Sequence, residues 1–277
     1  MVAWAGAFAA IKHLLSTGVT GPEIAAGRYL VAAPGFAVAL RMSGGGGVSR
    51  RDLPRIVLAG VLVVAVYHLA LNAGERHTTA GTAAVIIGTA PGITLALALL
   101  LGLEQFSAWR AAGLAIAFAG VVVVVTLGAG HGVSLDNAVG PLLVLISASS
   151  FAAYNVLLKP LTRRIETVAL SSAASLAGTV PLLALLRPSS FDDARAMGTL
   201  DWVLILYLGL ICTLAAYILW TMALSHLDAS RAVAYLYGVP ALAVVIGAIT
   251  LSEPVTVWLA LGGALIVSGV AVAQVRR

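Results

Sequence analysis

The 277-residue chain is 61% apolar and only 10% charged, and its 16 Lys and Arg outweigh 11 Asp and Glu for a net charge of +5. Soluble domains carry roughly 25% charged residues, so a chain this poor in charge could not cover its own surface in water. An ordinary cytosolic enzyme, a disordered protein and a nucleic-acid binder are excluded together. The mean hydropathy of +1.04 and the pI of about 9.7 fit a protein solvated mostly by lipid, with its basic excess in short loops on one side. The one cysteine, Cys212, lies in an apolar run, so no internal disulfide forms.

A helical span needs about 20 apolar residues. Continuous apolar stretches predict ten spans, at 2–15, 22–41, 54–73, 79–101, 107–127, 138–158, 167–187, 201–222, 230–250 and 254–274. A β-barrel would alternate instead. Span one carries Trp4 and Phe8, four apart, as a candidate pore face, and reaches charge at Lys12. No basic segment precedes it, so it does not read as a signal peptide. It is short for a bilayer, and the chain is expected to begin late. Span two holds Arg28, expected either to pair with Glu23 or to face a cavity and attract a carboxylate. The run Gly44–Gly47 then reads as a flexible linker.

Span three carries His68 and Asn72, four apart. Pro91 and Pro240, in spans four and nine, each remove a helix donor and predict kinks; Tyr237 lies three residues before the second. Span six offers Tyr154 and Asn155 as substrate contacts, while its serines read as helix packing. In span eight, Thr213, Tyr217, Trp220 and Thr221 follow helical spacing and form one stripe. Glu104 and Glu253 are expected to cap the following helix, and Lys12 and Lys159 to snorkel. The acids lie at or near span ends, which leaves His68 as the midspan group titrating near neutral pH.

Displacing the chain by 149 residues superposes Gly60 on Gly209, His77 on His226, Pro91 on Pro240, Glu104 on Glu253, Gly113 on Gly262 and Gly120 on Gly269. A shift of 147 does the same for Lys12 with Lys159 and Pro34 with Pro181. The stripe residues Tyr217 and Thr221 thereby match His68 and Asn72. Five spans per unit is odd, so the second unit enters from the opposite side, as in many secondary transporters. Lys and Arg cluster in the loops on one side, at Arg50, Arg51, Arg55, Lys159, Arg163 and Arg164, which predicts both termini in the cytoplasm.

Trp4-x3-Phe8-x3-Lys12, Arg28-Tyr29-Leu30 and the run Pro91…Leu103-Glu104…Gly113…Gly120 resemble the first EamA repeat of the drug/metabolite transporter superfamily. Phe151-Ala152-Ala153-Tyr154-Asn155…Lys159 and Ala229-Ser230-Arg231-Ala232…Pro240…Ser252-Glu253-Pro254 resemble the second. The resemblance implies a ten-helix bundle with a central cavity that moves small metabolites. Enzyme chemistry has no support: there is no Gly-Lys-Ser/Thr loop, no His-Glu-x-x-His and no Gly-x-Ser-x-Gly.

The expectation is an all-α membrane protein of ten transmembrane helices as two inverted five-helix repeats, residues 1–130 and 131–277, in the plasma or inner membrane. Its partners are the lipid bilayer and a small-molecule substrate, with no nucleic acid, cofactor or metal, and it stands as a monomer or homodimer. The cavity would be lined by His68, Asn72, Tyr154, Asn155, Thr213, Tyr217, Trp220, Tyr237, Trp4 and Phe8. Rings, hydroxyls, an amide and one histidine favour export of an amino acid or related amphipathic solute by alternating access. Proton coupling, if present, would run through His68. The alternatives are cationic drug or amine efflux, weakened by the missing midspan carboxylate, and a non-transporting membrane scaffold.

Overall fold

The computed structural model describes residues 1–44, 47–103, 106–127, 135–219 and 238–274. Among them all regular structure is helical, because in lipid a helix satisfies every backbone N–H and C=O within one segment. Six helices are long and apolar enough to cross a membrane: Gly21–Met42, Leu53–His77, Ala80–Leu100, Ala108–Leu127, Ala138–Leu158 and Thr199–Leu219. Four shorter apolar helices accompany them, Val2–Ser16, Thr167–Leu183, Gly238–Leu251 and Val257–Ala273.

In chain order the elements are α1 (Val2–Ser16), α2 (Gly21–Met42), α3 (Leu53–Gly60), a π-helical stretch (Val61–Val66), α4 (Tyr67–His77), α5 (Ala80–Ile87) and α6 (Ala90–Leu100). Then come α7 (Ala108–Leu127), α8 (Leu135–Leu158), α9 (Thr167–Leu183), α10 (Ser189–Ala196), α11 (Thr199–Leu206), a second π-helical stretch (Tyr207–Ala215), α12 (Gly238–Leu251) and α13 (Val257–Gln274). Helix α10 is polar, buries no residue and falls in what the apolar pattern leaves as a connection.

Glycines set the closest approaches. Helices α7 and α13 run antiparallel, with Gly113 facing Gly269 and Gly120 facing Gly262; a Cβ on Gly120 would stand 2.7 Å from Gly262 O. Helices α3 and α9 meet at Gly60 and Gly178, each against the other's backbone. Gly209 lies against α2, where its Cβ would come 2.7 Å from Val31. The π-helical stretches put carbonyls out of the usual i→i−4 register. Hydroxyls take them: Ser150 donates to Leu62 O (2.7 Å), Ser147 to Tyr67 O (2.8 Å) and Thr213 to Leu208 O (2.8 Å).

The fourth span breaks at Gly88–Thr89 into α5 and α6. Pro91 sits in the first turn of α6, where a missing N–H leaves no bond unmade, so it starts a segment rather than bending a continuous helix. Pro240 is the third residue of α12, and a Cβ on Gly88 would lie 3.0 Å from its Cγ.

The span ends depart from two expectations and decide between the alternatives of a third. Lys12 does not snorkel: its Nζ donates to Glu75 O (2.5 Å) and Thr78 O (2.7 Å), closing the C-terminal end of α4. That end is an array of bare carbonyls carrying partial negative charge, and Lys12 lies half-buried beside it. Glu253 caps a helix, but not the next one. It accepts from Ala80 N (2.8 Å) and Gly81 N (3.1 Å) at the start of α5, while Thr256 serves α13 through Leu259 N (3.1 Å). Glu23 caps its own helix by accepting from Thr20 N (2.9 Å) and leaves Arg28 to other partners.

Removing the Glu253 cap in Glu253→Ala is expected to cost about 1–2 kcal/mol. Thermal unfolding of the detergent-solubilised protein should read this as a lower midpoint, with Glu253→Gln intermediate because it keeps one acceptor.

Candidate functional site

A cavity of about 140 Å³ opens where α1, α2, α4, α5, α6, α8 and α12 converge on the second π-helical stretch. Its walls are mainly apolar and aromatic. Trp4, Phe8 and Ile11 come from α1, Leu71 from α4, Ile87 from α5, and Pro91 and Pro240 from the two broken regions. The rings are held by neighbours rather than left to rotate. Trp4 Nε1 donates to Cys212 O at 2.9 Å and meets Tyr217 edge-on at 6.2 Å between centroids. Tyr67 stands edge-on to His68 at 4.7 Å and tilted against Phe151 at 5.9 Å.

The polar corner is built around Arg28, 4% exposed and about two turns beyond the capped start of α2. Its Nε donates to Thr213 Oγ1 at 2.9 Å and its Nη1 to His68 Nδ1 at 3.3 Å. A guanidinium cannot accept, so His68 Nδ1 carries the lone pair and Nε2 the proton. Nε2–H then donates to Tyr29 Oη at 3.1 Å. Among the described residues no carboxylate bridges Arg28, and three of the five guanidinium N–H groups have no protein partner. This is a fixed, cationic fork facing an aromatic chamber, the donor geometry that a carboxylate fills with two parallel hydrogen bonds.

The residues predicted to line the cavity divide. Trp4, Phe8, His68 and Tyr217 line it, together with Pro91 and Pro240. Thr213 is fully buried behind Arg28 and orients it. Asn72 faces α2 instead: it is fully buried and donates to Gly21 O at 2.8 Å, because the start of α2 passes close enough to use its amide. Tyr154 is buried behind Phe151, stacked on that ring at 5.9 Å, and Asn155 is half-buried outside the lining. Trp220, Thr221 and Tyr237 lie outside the described residues, as does Glu104.

Three aromatic participants were not expected from the sequence: Tyr29, Tyr67 and Phe151. Tyr29 and Tyr67 are each sequence neighbours of a singled-out residue, Arg28 and His68, but lateral neighbours on a helix point to different sides. Only the crossing of α2 with α4 brings them together. Glu75 was read as lying beyond span three. Helix α4 continues to His77, and Glu75 is inside it and fully buried. Proton coupling through His68 does not suit this geometry, since Nδ1 has no place for a proton while Arg28 donates to it.

The sequence matches the EamA-like transporter family model twice, over residues 1–126 and 138–274. It is 34% identical over 273 residues to a protein of Streptantibioticus cattleyicolor named as a probable terminal-alkyne amino-acid exporter, covering 98% of this chain and 89% of that one. It is 32% identical over 277 residues to an uncharacterized transporter of Archaeoglobus fulgidus, covering 99% and 95%. A crystal structure at 22% identity superposes with a TM-score of 0.63 over 99% of this chain and 95% of that chain, a likeness of fold.

Proposed function

The chain belongs to the EamA-like transporter family, and on that premise we propose that it moves a small carboxylate-bearing metabolite, an amino acid or a close relative, out across the plasma or inner membrane by alternating access. The observation that carries this is Arg28: a buried cation that forms no salt bridge with a carboxylate among the described residues, at the wall of an aromatic cavity. A charge in a membrane interior is costly and tends to mark the substrate pathway. Here the missing counter-charge is the substrate's own. A volume near 140 Å³ suits a small metabolite better than a drug-sized solute, whose pockets run to roughly 300–1,000 Å³. The amino-acid exporter named among the relatives supports the same class. Cationic amine efflux fits less well, because among the described residues the cavity wall presents a guanidinium and no carboxylate.

Ten helices in two inverted halves supply the mechanism. Several observations support that plan. The family model matches twice. A shift of 149 converts Gly113 to Gly262 and Gly120 to Gly269, so the contacts Gly113–Gly269 and Gly120–Gly262 exchange into each other, as a two-fold relation requires. Under the shifts of 149 and 147, the Gly60–Gly178 contact becomes Gly209–Val31, which also occurs. The π-helical stretches Val61–Val66 and Tyr207–Ala215 fall at corresponding positions. The pairing of Arg164 with Asp52 joins two loops assigned to the cytoplasmic side.

The test is counterflow in proteoliposomes with a panel of amino acids, their decarboxylated amines and simple carboxylic acids. Exchange of carboxylates with no competition by the matching amines is expected. Transport of amines alone would assign the protein to cation efflux, and no flux of any solute at verified insertion would leave the scaffold role. Trp4→Ala and Tyr217→Ala should raise half-saturation roughly 5- to 150-fold, since a buried ring contributes about 1–3 kcal/mol.

A further inference from the structure

We propose that Glu75 is a proton-binding site, occupied in the present closed arrangement of this end of the bundle, and that its proton is the one coupled to transport; the coupling rests on the transporter reading above. Glu75 lies on α4 one turn beyond Leu71, which lines the cavity. It is 0% exposed, and among the described residues neither carboxyl oxygen has a hydrogen-bond partner. Asn72, three residues earlier on the same face, is also 0% exposed, and its Oδ1 is the other unpartnered buried side-chain oxygen among the described residues. The amide cannot turn to help, because its Nδ2 is committed to Gly21 O.

Among the described residues, none of these three acceptors meets a donor. Buried acceptors without partners are rare in folded proteins, and a carboxylate in that condition is the most costly kind. One proton changes the count: it neutralises the carboxyl and turns one of its oxygens from acceptor into donor. A metal cation would need a fuller cage of oxygens, and the two nearby carbonyls, Glu75 O and Thr78 O, already hold Lys12.

Among the described residues, the charged and titratable groups facing Glu75 are Lys12 of α1, Arg28 of α2, Tyr67 at the start of α4 and Glu253 of the turn before α13. Arg76 and His77 follow it on α4, while α5 and the neighbouring Gly140 and Val144 of α8 bring none. Lys12 directs its hydrogen bonds to backbone carbonyls and not to the carboxyl. The same contacts make this end a closed door. Lys12 ties α1 to the α4–α5 turn, and Glu253 ties the α12–α13 turn to the start of α5. Parting them would admit water to Glu75, so the proton exchanges when this end opens and is held when it shuts.

Two readouts test this on the full-length protein. Infrared spectroscopy of the purified wild type should show a protonated carboxylic acid at neutral pH that disappears on alkaline titration, is absent in Glu75→Gln and persists in Glu166→Gln. Its absence from the wild type, or its persistence in Glu75→Gln, overturns the site. A band that sodium but not choline removes assigns the oxygens to an alkali cation and overturns it too. In proteoliposomes, a pH gradient should drive accumulation by the wild type, and Glu75→Gln should lose that drive while keeping downhill counterflow. Retention of gradient-driven accumulation in Glu75→Gln overturns the coupling. If no solute moves in any variant, the transporter reading fails, while the infrared result still decides whether Glu75 holds a proton.

Discussion

Replacing Arg28 by methionine is expected to raise half-saturation for a carboxylate-bearing substrate roughly 30-fold to several thousand-fold. Truncating one member of a buried, hydrogen-bonded charge pair costs about 2–5 kcal/mol, and each 1.4 kcal/mol is about tenfold. The size of the effect follows from what the side chain does in the empty cavity. Thr213 and His68 hold two of its N–H groups, so the remaining fork is aimed before substrate arrives and little ordering is left for binding. Arg28→Lys should recover only part of the loss, because an ammonium offers a point charge where the guanidinium offers a planar pair of donors. Thr213→Val, which leaves the charge but removes one of its supports, should fall between wild type and Arg28→Lys. Counterflow at matched membrane levels measures all three. An unchanged half-saturation in Arg28→Met would remove Arg28 from the substrate path and with it the preference for carboxylates over amines.

The second large effect concerns assembly. Gly120→Leu should prevent α7 and α13 from reaching their observed separation, at a cost of about 3 kcal/mol or more. A Cβ at residue 120 would meet Gly262 O at 2.7 Å and Ile266 N at 2.8 Å, and backbone atoms cannot step aside as a flexible side chain can. Without a hydrophobic force between helices in lipid, close backbone approach is a main source of their association. The predicted result is a monodisperse wild type against an aggregated or poorly recovered variant in size-exclusion chromatography after solubilisation. Gly263→Ala is the control on the same helix. Its Cβ would meet Val85 at an ordinary 3.5 Å, so recovery should be unchanged.

How far the sequence carried the site can be followed residue by residue. Trp4, Phe8, His68 and Tyr217 were found by helical spacing and by the match between halves, and they line the cavity. Asn72 obeyed the same spacing but turned to α2, because residues four apart share a face only approximately and the α2 start claims the amide. Arg28 stood out as an uncomfortable charge, yet its partners are 40 and 185 residues away, a distance no local pattern reports. Glu75 was missed because an acid near the end of an apolar run looks like a solvated loop residue. Only the packing of α1 against α4 reveals it as buried.

The amino-acid order alone determined that this chain lives in lipid, that it is helical, where the apolar helices lie, and that two stretches of it are related. Those properties depend on composition and local period, and the solvent enforces them on every segment separately. The tertiary structure decided which charges are used and for what. Lys12 went to the carbonyls of α4, Glu253 to a helix far from it in sequence, and Arg28 to a cavity corner with Thr213 and His68. In a low-dielectric interior a polar group must find a partner wherever one exists. The partner is set by which helices cross, and that is fixed by the glycine contacts between them rather than by sequence neighbours.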